Sequence, residues 1–307
     1  LRSHKATENP DMKEHDCFLF NEEVSTLDTL LLFTDHGHYI YLPVFKIHEG
    51  KWKEMGQHVN YIVPLVNGEK LIHVEAVSAF DDDAGWLLFT TEKNVVKRTA
   101  VKDFDVQRYN RPIKSMGLKK DDRIQDISHT AGEKHEIVTF TKAGFALRYD
   151  LEEIPATSTT AKGVKAMNLK KGESLATSLI LKDKHDIVIL TNRGTLKRIH
   201  PDEIEKKKRA LRGERVLKRV KTNPYLIVDA DVLNAVQYKK RAPVNVLTDR
   251  GLRTLSAFDL KENAAEHGKK FIKGKATPIS LEIEPAHDEE GLIAPFHDFK
   301  QKPSVPE

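Results

Sequence analysis

The sequence predicts an all-β protein of the propeller kind. Three observations predict it: a hairpin motif that recurs at a long, regular interval, short apolar stretches separated by turn residues, and helical periodicity confined to short pieces such as residues 202–209. The hairpin is plainest in residues 186–204, DIVILTNRGTLKRIHPDEI, where an apolar strand, a tight turn and a return strand follow one another. The turn Thr191-Asn192-Arg193-Gly194 ends in the residue that takes positive φ without steric cost, which suits a short bulged hairpin loop. Its counterparts end at Gly37, Asn94, Gly144 and Gly251, spaced 57, 50, 50 and 57 residues along the chain with Gly194 in its place. Asn94 stands in for glycine because Asn is the next most tolerant residue of a left-handed position, so Asn94→Gly is expected to be neutral or mildly stabilising.

Each hairpin is followed by a second landmark: Gly56, Pro112, Gly163, Gly213 and Gly268 lie 17–19 residues beyond the turn residue. A strand is expected after each landmark (VNYIVPL, IKSMGL, VKAMNL, RVLKRV, KFIKG), then a turn and one more strand, which makes four short strands per repeat. The whole chain, 1–307, reads as one repeat domain. Residues 1–26 are expected to be the remnant of a first blade, because Leu1–His4 sits where Val101–Phe104 and Pro201–Ile204 sit in later repeats. Hairpin-bearing blades are expected at about 27–80, 81–130, 131–181, 182–233 and 234–280, with an acidic tail over 281–307. The sequence begins at Leu1 without an initiator Met and is read as part of a longer polypeptide.

Composition excludes several classes. A single cysteine, Cys17, leaves no internal disulfide or thiolate metal framework. No apolar run reaches the roughly 20 residues that span a bilayer, and no signal peptide is present, so a cytoplasmic location is expected. The histidines are scattered, Asp81-Asp82-Asp83 reads as a solvated turn, and neither a phosphate-binding loop nor a nucleophile elbow occurs, so no catalytic residue, metal or cofactor is expected. Trp52 and Trp86 read as packing residues.

The net charge of +4 conceals an asymmetry. Residues 191–275 hold 22 Lys and Arg against 10 Asp and Glu, whereas residues 1–190 hold 26 against 29 and residues 276–307 hold 2 against 7. A block that basic points to a polyanion. Arg98, Arg148 and Arg198 each stand four residues after a turn Gly or Asn, and Arg253 stands two after, so two-residue alternation puts them on one face of successive return strands. Lys97, Lys197, Arg193 and Arg250 are their neighbours. Lys206, Lys207, Lys208, Arg209, Arg212, Arg215, Lys218 and Arg219 form the densest basic run, and Lys162 and Lys165 flank Gly163, whose backbone is open to a phosphate. These residues are expected to line a curved rim that double-stranded DNA follows through salt-sensitive, sequence-independent phosphate contacts. The competing reading is that the arginine stems cover blade edges and cap carbonyls.

The motif T-x-x-G-x-x-K/R-R with a following G-V-x-x-M-x-L strand resembles the C-terminal domain of bacterial type IIA topoisomerase A subunits. TNRGTLKRIHPDEI, VVKRTAVKDF and TSTTAKGVKAMNLKKGE carry the resemblance, which extends over essentially residues 1–275. The topoisomerase IV type is favoured over the gyrase type, because no Q-R-R-G-G-K-G-like box is present and residues 6–16 at its expected place are acidic. The resemblance implies a six-bladed β-propeller-like fold, a β-pinwheel in which blades exchange strands, as a closed or broken ring with an incomplete first blade. It further implies a non-catalytic, DNA-bending module that positions segments for strand passage, decatenation and relaxation. Its implied partners are DNA, the ATPase-bearing B subunit, together with the remainder of its own A subunit, in the nucleoid. A gyrase-type wrapping domain and a peptide-binding propeller are the alternatives.

Overall fold

The computed structural model describes residues 19–20, 22–50, 56–66, 68–106, 111–132, 134–181, 185–262 and 266–286. The expected remnant of an earlier blade lies almost wholly outside them, as do Trp52, Cys17 and the acidic tail beyond residue 286.

In chain order the strands are β1 (Thr29–Thr34), β2 (His38–Pro43), β3 (Leu71–Val77), β4 (Trp86–Thr91), β5 (Val95–Ala100), β6 (Ile113–Lys114), β7 (Ile124–Thr130), β8 (Glu136–Thr141), β9 (Phe145–Asp150) and β10 (Val164–Lys165). They continue as β11 (Leu175–Leu181), β12 (Asp186–Thr191), β13 (Thr195–Ile199), β14 (Glu214–Arg215), β15 (Ile227–Leu233), β16 (Pro243–Thr248), β17 (Gly251–Ser256), β18 (Lys269–Lys270) and β19 (Pro278–Ile283). One short helix, α1 (Ala235–Lys239), follows β15, and residues 202–209 hold only the end of a single 3₁₀ turn.

These strands form five antiparallel sheets among the described residues, with orders β3-β1-β2-β6, β7-β4-β5-β10, β11-β8-β9-β14, β15-β12-β13-β18 and β19-β16-β17. The six blades implied by the resemblance are therefore not seen; five are, the last with three strands. Sequence repeats and spatial blades also differ. Each two-residue strand after a landmark leaves its own repeat and becomes the fourth strand of the preceding blade. In the first repeat the corresponding stretch, expected to be a strand, is a 3₁₀ turn at Val59–Tyr61.

Two-residue alternation builds the core between blades. Ile187 and Ile189 of β12 pack toward the third blade against Val138 and Phe140, while Val188 and Leu190 pack toward the fifth against Val244 and Val246. The same division places Leu31 and Phe33 of β1 in an aromatic cluster with Phe89, Phe104 and Tyr39, with ring centroids 5.2–6.1 Å apart. Leu30 and Leu32 face the other way, into a cluster completed by Val44 and Val63 on the outer face of the first blade.

The hairpin turns are as the sequence predicts. Gly37, Asn94, Gly144, Gly194 and Gly251 have φ of 82, 74, 85, 67 and 91°. In the fourth blade the Gly194 amide donates to Thr191 O at 2.8 Å, and a Cβ on Gly194 would stand 2.5 Å from the Ile272 Cβ. Asn94 is more than a tolerated substitute for glycine. Its Nδ2 donates to Met167 O at 2.7 Å and its Oδ1 accepts from Met167 N–H at 2.9 Å, fastening the next repeat's donated segment. The neutrality expected of Asn94→Gly is thus corrected.

The innermost strands β3, β7, β11, β15 and β19 pack on one another in series. They carry carboxylates. The Leu281 N–H donates to Asp229 Oδ2 at 2.8 Å and the Ile283 N–H to Asp231 Oδ2 at 2.7 Å, so β15 is tied to β19 of the next blade. Asp126 of β7 accepts from Ser128 and Thr177 hydroxyls at 3.3 and 3.4 Å. Burial in the low-dielectric interior, aided by Asp126, pushes Asp229 up to about 8 and Asp231 to about 7.

Replacing Gly194 with Val combines left-handed strain with overpacking against Ile272 and is expected to cost about 2–5 kcal/mol, read as a lowered urea midpoint. Asn94→Gly loses two hydrogen bonds and is expected to cost about 1–3 kcal/mol by the same measurement. For Asp229 and Asp231 the folded values lie above the ordinary 3.8, so the native state holds protons that the unfolded chain releases. Their stabilisation is complete below about pH 4 and is lost as pH rises through 7–8. The urea midpoint should fall from pH 5 to pH 8, and the double variant Asp229→Asn, Asp231→Asn should flatten that fall.

Candidate nucleic-acid interface

The expected rim arginines do not stand in solvent. Arg198 is 9% exposed, its Nε on Asp186 Oδ2 at 2.6 Å, Nη1 on Leu260 O at 3.0 Å and Nη2 on Glu262 Oε1 at 3.1 Å, with the guanidinium 4.3 Å over the Tyr238 ring. Arg148 repeats the arrangement, with Nε on Glu136 at 2.6 Å and Nη1 on Asp202 at 3.0 Å and Pro201 O at 2.9 Å. Arg98 is buried 4.7 Å over the Trp86 ring, so Trp86 packs as expected. Each binds its return strand to a neighbouring element, which is the carbonyl-capping alternative. The rim placement of Arg98, Arg148 and Arg198 is corrected: two-residue alternation puts them on one face, but that face is turned into the blade junction.

Lys97 and Lys197 are struts one residue earlier. Lys97 Nζ, fully buried, donates to Ser115 O at 2.5 Å and Thr159 O at 2.8 Å; Lys197 Nζ donates to Val216 O at 2.7 Å and Glu266 O at 3.4 Å. In both cases the ammonium joins the donated segments of two successive repeats. Burial lowers both amines, Lys97 to about 7.

The dense basic run divides in the same way. Lys206 pairs with Asp150 and Glu136 at 2.5 and 3.1 Å, Lys207 with Glu214 and Glu205 at 2.6 and 3.0 Å, and Lys218 with Glu266 at 2.7 Å. Arg209 Nε donates to Glu153 O at 2.9 Å, and Arg212 grips both oxygens of Glu173 while lying 3.9 Å over the Phe145 ring. The Arg212 guanidinium holds the Glu173 carboxyl down at about 2. Lys162, Lys208, Arg219, Arg250 and Arg253 are exposed, whereas Arg193 is half-buried 4.3 Å over Tyr225. The landmark glycines are not phosphate cradles. A Cβ on Gly213 would stand 2.2 Å from Ala146 O, so its bareness admits the acceptor strand, and Gly163 meets Val96 O at 2.5 Å in the same way.

One basic position does recur in solvent on four blades. Lys114, Lys165, Arg215 and Lys270 are each the second residue of a donated strand, and all four are exposed. Their register is identical: Lys114 opposes His38, Lys165 opposes Val95, Arg215 opposes Phe145 and Lys270 opposes Thr195, each the residue directly after the turn Gly or Asn. Because the donated strand is the one farthest from the packed inner strands, these cations mark the outer rim. Exposed lysines follow in the next turn of each repeat: Lys119 and Lys120, Lys170 and Lys171, Lys221, and Lys273 and Lys275. Sequence reading found Lys165 and Arg215 but missed Lys114 and Lys270. The signal was present, since each lies two residues after its landmark at Pro112, Gly163, Gly213 or Gly268.

Among the described residues no group of His, Cys, Asp and Glu is placed to hold a metal, and no helix is long and apolar enough to cross a membrane. The molecule is thus a propeller-like array of strand-sharing blades with a cationic outer edge. The model of the DNA gyrase C-terminal domain, β-propeller, matches residues 28–78, 85–130, 135–182 and 185–234, and the chain belongs to that family. It is 36% identical over 229 residues to the A subunit of DNA topoisomerase 4 from Bacillus subtilis (strain 168), covering 74% of this chain and 28% of that protein. The corresponding subunit of Staphylococcus aureus (strain MRSA252) is 36% identical over 236 residues, 76% of this chain and 29% of that protein. The chain therefore spans under a third of the length of these relatives. A crystal structure of the C-terminal domain of DNA topoisomerase IV superposes with a TM-score of 0.82 at 30% identity, over 93% of this chain and 88% of that one. A DNA gyrase A C-terminal domain shares the fold, with a TM-score of 0.68 at 18% identity over 85% and 83%. The resemblance to topoisomerase IV A subunits read from the sequence is borne out.

Arg198→Ala should leave Asp186 buried and unpaired, at a cost of about 3–5 kcal/mol in urea unfolding. Adding Asp186→Asn should recover part of the loss, since the stranded charge is then gone.

Proposed function

We propose that this chain is the non-catalytic DNA-binding domain from the A subunit of a topoisomerase IV, with duplex DNA running along its outer rim. The observation that carries this reading is the ladder Lys114, Lys165, Arg215 and Lys270: four exposed cations in one register on four successive blades. A cation repeated at the same place on each blade can follow a phosphate backbone along a curved edge without reading bases. The buried arginines and lysines hold the blades in the arrangement that presents this ladder. The topoisomerase IV names of the relatives support a role within a larger enzyme in the nucleoid, beside the B subunit, with the remainder of the A subunit on the same polypeptide.

In this reading the domain bends DNA and presents segments for strand passage, favouring decatenation and relaxation. Bending a short site through 40–90° costs about 1–6 kcal/mol, and a ladder whose basic surplus is concentrated in residues 191–275 offsets only a partial arc. A stable chiral turn of the gyrase type is not expected. Ligation of nicked circles in the presence of the domain should leave the linking-number distribution almost unshifted; a large stoichiometric shift of one sign would overturn the bending reading in favour of wrapping.

Changing Lys114, Lys165, Arg215 and Lys270 together to Gln should weaken DNA binding and flatten its dependence on the logarithm of salt by roughly 3–4 units, about 0.9 per lost phosphate contact. The urea midpoint should be nearly unchanged, because all four side chains are exposed. A quadruple variant with the parent's affinity and salt slope would remove the rim assignment.

A further inference from the structure

The first blade holds a carboxylate that its own chain does not satisfy. Glu69 follows Gly68 in the turn leading into β3, and its side chain has 0% exposure. Oε1 takes a hydrogen bond from His38 Nδ1 at 2.6 Å, whereas Oε2 is buried without a hydrogen-bond partner among the described residues. The carboxylate is on the wall of a cavity of about 560 Å³ whose other walls include His58, Val59, Leu65, Val66 and Leu71. A buried charged oxygen left unpaired is costly, and that cost is recovered by any ligand bringing a donor to it.

The third blade shows which donor fits. Glu173 is the equivalent residue, one after Gly172 (φ 84°) as Glu69 is one after Gly68 (φ 86°). There the carboxylate is held in a two-pronged grip by Arg212, whose guanidinium rests 3.9 Å over the Phe145 ring. Phe145 follows Gly144 as His38 follows Gly37, but His38 spends its Nδ1 on Glu69 instead. Arg111, which precedes its landmark as Arg212 does, is exposed, and the ion pair of Glu69 is with His38. The first blade therefore has the acceptor of a guanidinium fork without its arginine.

The surroundings indicate what supplies it. Tyr61 and Val66 are 82% and 56% exposed beside the opening, and Leu65 and Leu71 line it against the outer-face apolar cluster. A polyanion is excluded by the carboxylate, and a bare cation would leave the apolar margin uncovered. We propose that this cavity is a docking site for an arginine of a partner protein, the guanidinium forking onto Glu69 and the apolar residues beside it covering Val66 and Tyr61. Arginine is favoured over lysine because its planar fork matches a carboxylate in two bonds, as Arg212 does on Glu173. The site is independent of the DNA-binding rim.

The test uses the 307-residue chain, isotopically labelled, titrated with acetyl-Leu-Arg-Leu-amide and with its citrulline counterpart, which keeps the shape but lacks the charge. Saturable amide shifts at His38, Val66 and Gly68 are expected with the arginine peptide and not with the citrulline one. Glu69→Gln should weaken binding about tenfold or more, as loss of a charged hydrogen-bond acceptor does, and Arg111→Ala should leave it unchanged. Tyr61→Ala, an exposed position that cannot unfold the blade by cavity formation, should also weaken it. No shift in the parent, equal binding of the citrulline peptide, or binding that appears only in Arg111→Ala would each overturn the proposal; the last would mean that Arg111 fills the cavity itself.

Discussion

Every junction between blades depends on one hydrogen-bonded contact, the addition of two residues from one repeat to the outer edge of the sheet before it. Its anchor is the carbonyl of the turn residue. Gly37 O accepts from the Ser115 and Met116 amides at 2.8 and 3.2 Å, Gly144 O from Val216 and Leu217 at 3.0 and 3.4 Å, and Gly194 O from Phe271 and Ile272 at 2.9 and 3.0 Å. The exchange removes an open sheet edge from each blade that receives a strand and ties repeats distant in sequence. It also explains two residue choices at once. The turn Gly or Asn is left-handed to form the hairpin, and the landmark Gly is bare so that the donated segment can approach the acceptor backbone.

The same exchange divides the basic residues into two populations. Side chains on the return strand fall between blades, where a charge survives only when paired, and there Lys97, Lys197, Arg148 and Arg198 reach carbonyls and carboxylates. Side chains on the donated strand fall at the edge, where Lys114, Lys165, Arg215 and Lys270 meet solvent. The charge that builds the array and the charge available to a polyanion thus come from neighbouring strands of the same sheet.

A second polarity runs across each blade. The inner strands carry Asp126, Asp229, Asp231 and Glu282, all pushed above their ordinary range by burial, while the outer strands carry the exposed cations. Three strand spacings separate the two edges, about 15 Å, more than a Debye length at physiological salt. The inner carboxylates therefore do not cancel the rim's attraction for phosphate.

The sequence by itself determined the repeat, its period, the hairpins and their left-handed turn residues, because these rest on local rules: alternation within a strand and the tolerance of Gly and Asn for positive φ. It also determined the family resemblance through the T-x-x-G-x-x-K/R-R motif, and that the basic surplus is concentrated in residues 191–275. Tertiary structure decided which blade each short strand joins, that Asn94 bonds Met167, and that five blades and not six are formed by the described residues. It decided the fate of Arg98, Arg148 and Arg198 as well. Alternation places them correctly on one face of the strand, but a strand in this fold is buried on both faces, and nothing within a single repeat says that the neighbouring blade covers the second. Exposure is a property of what packs against a strand, and that depends on residues about 50–60 positions away.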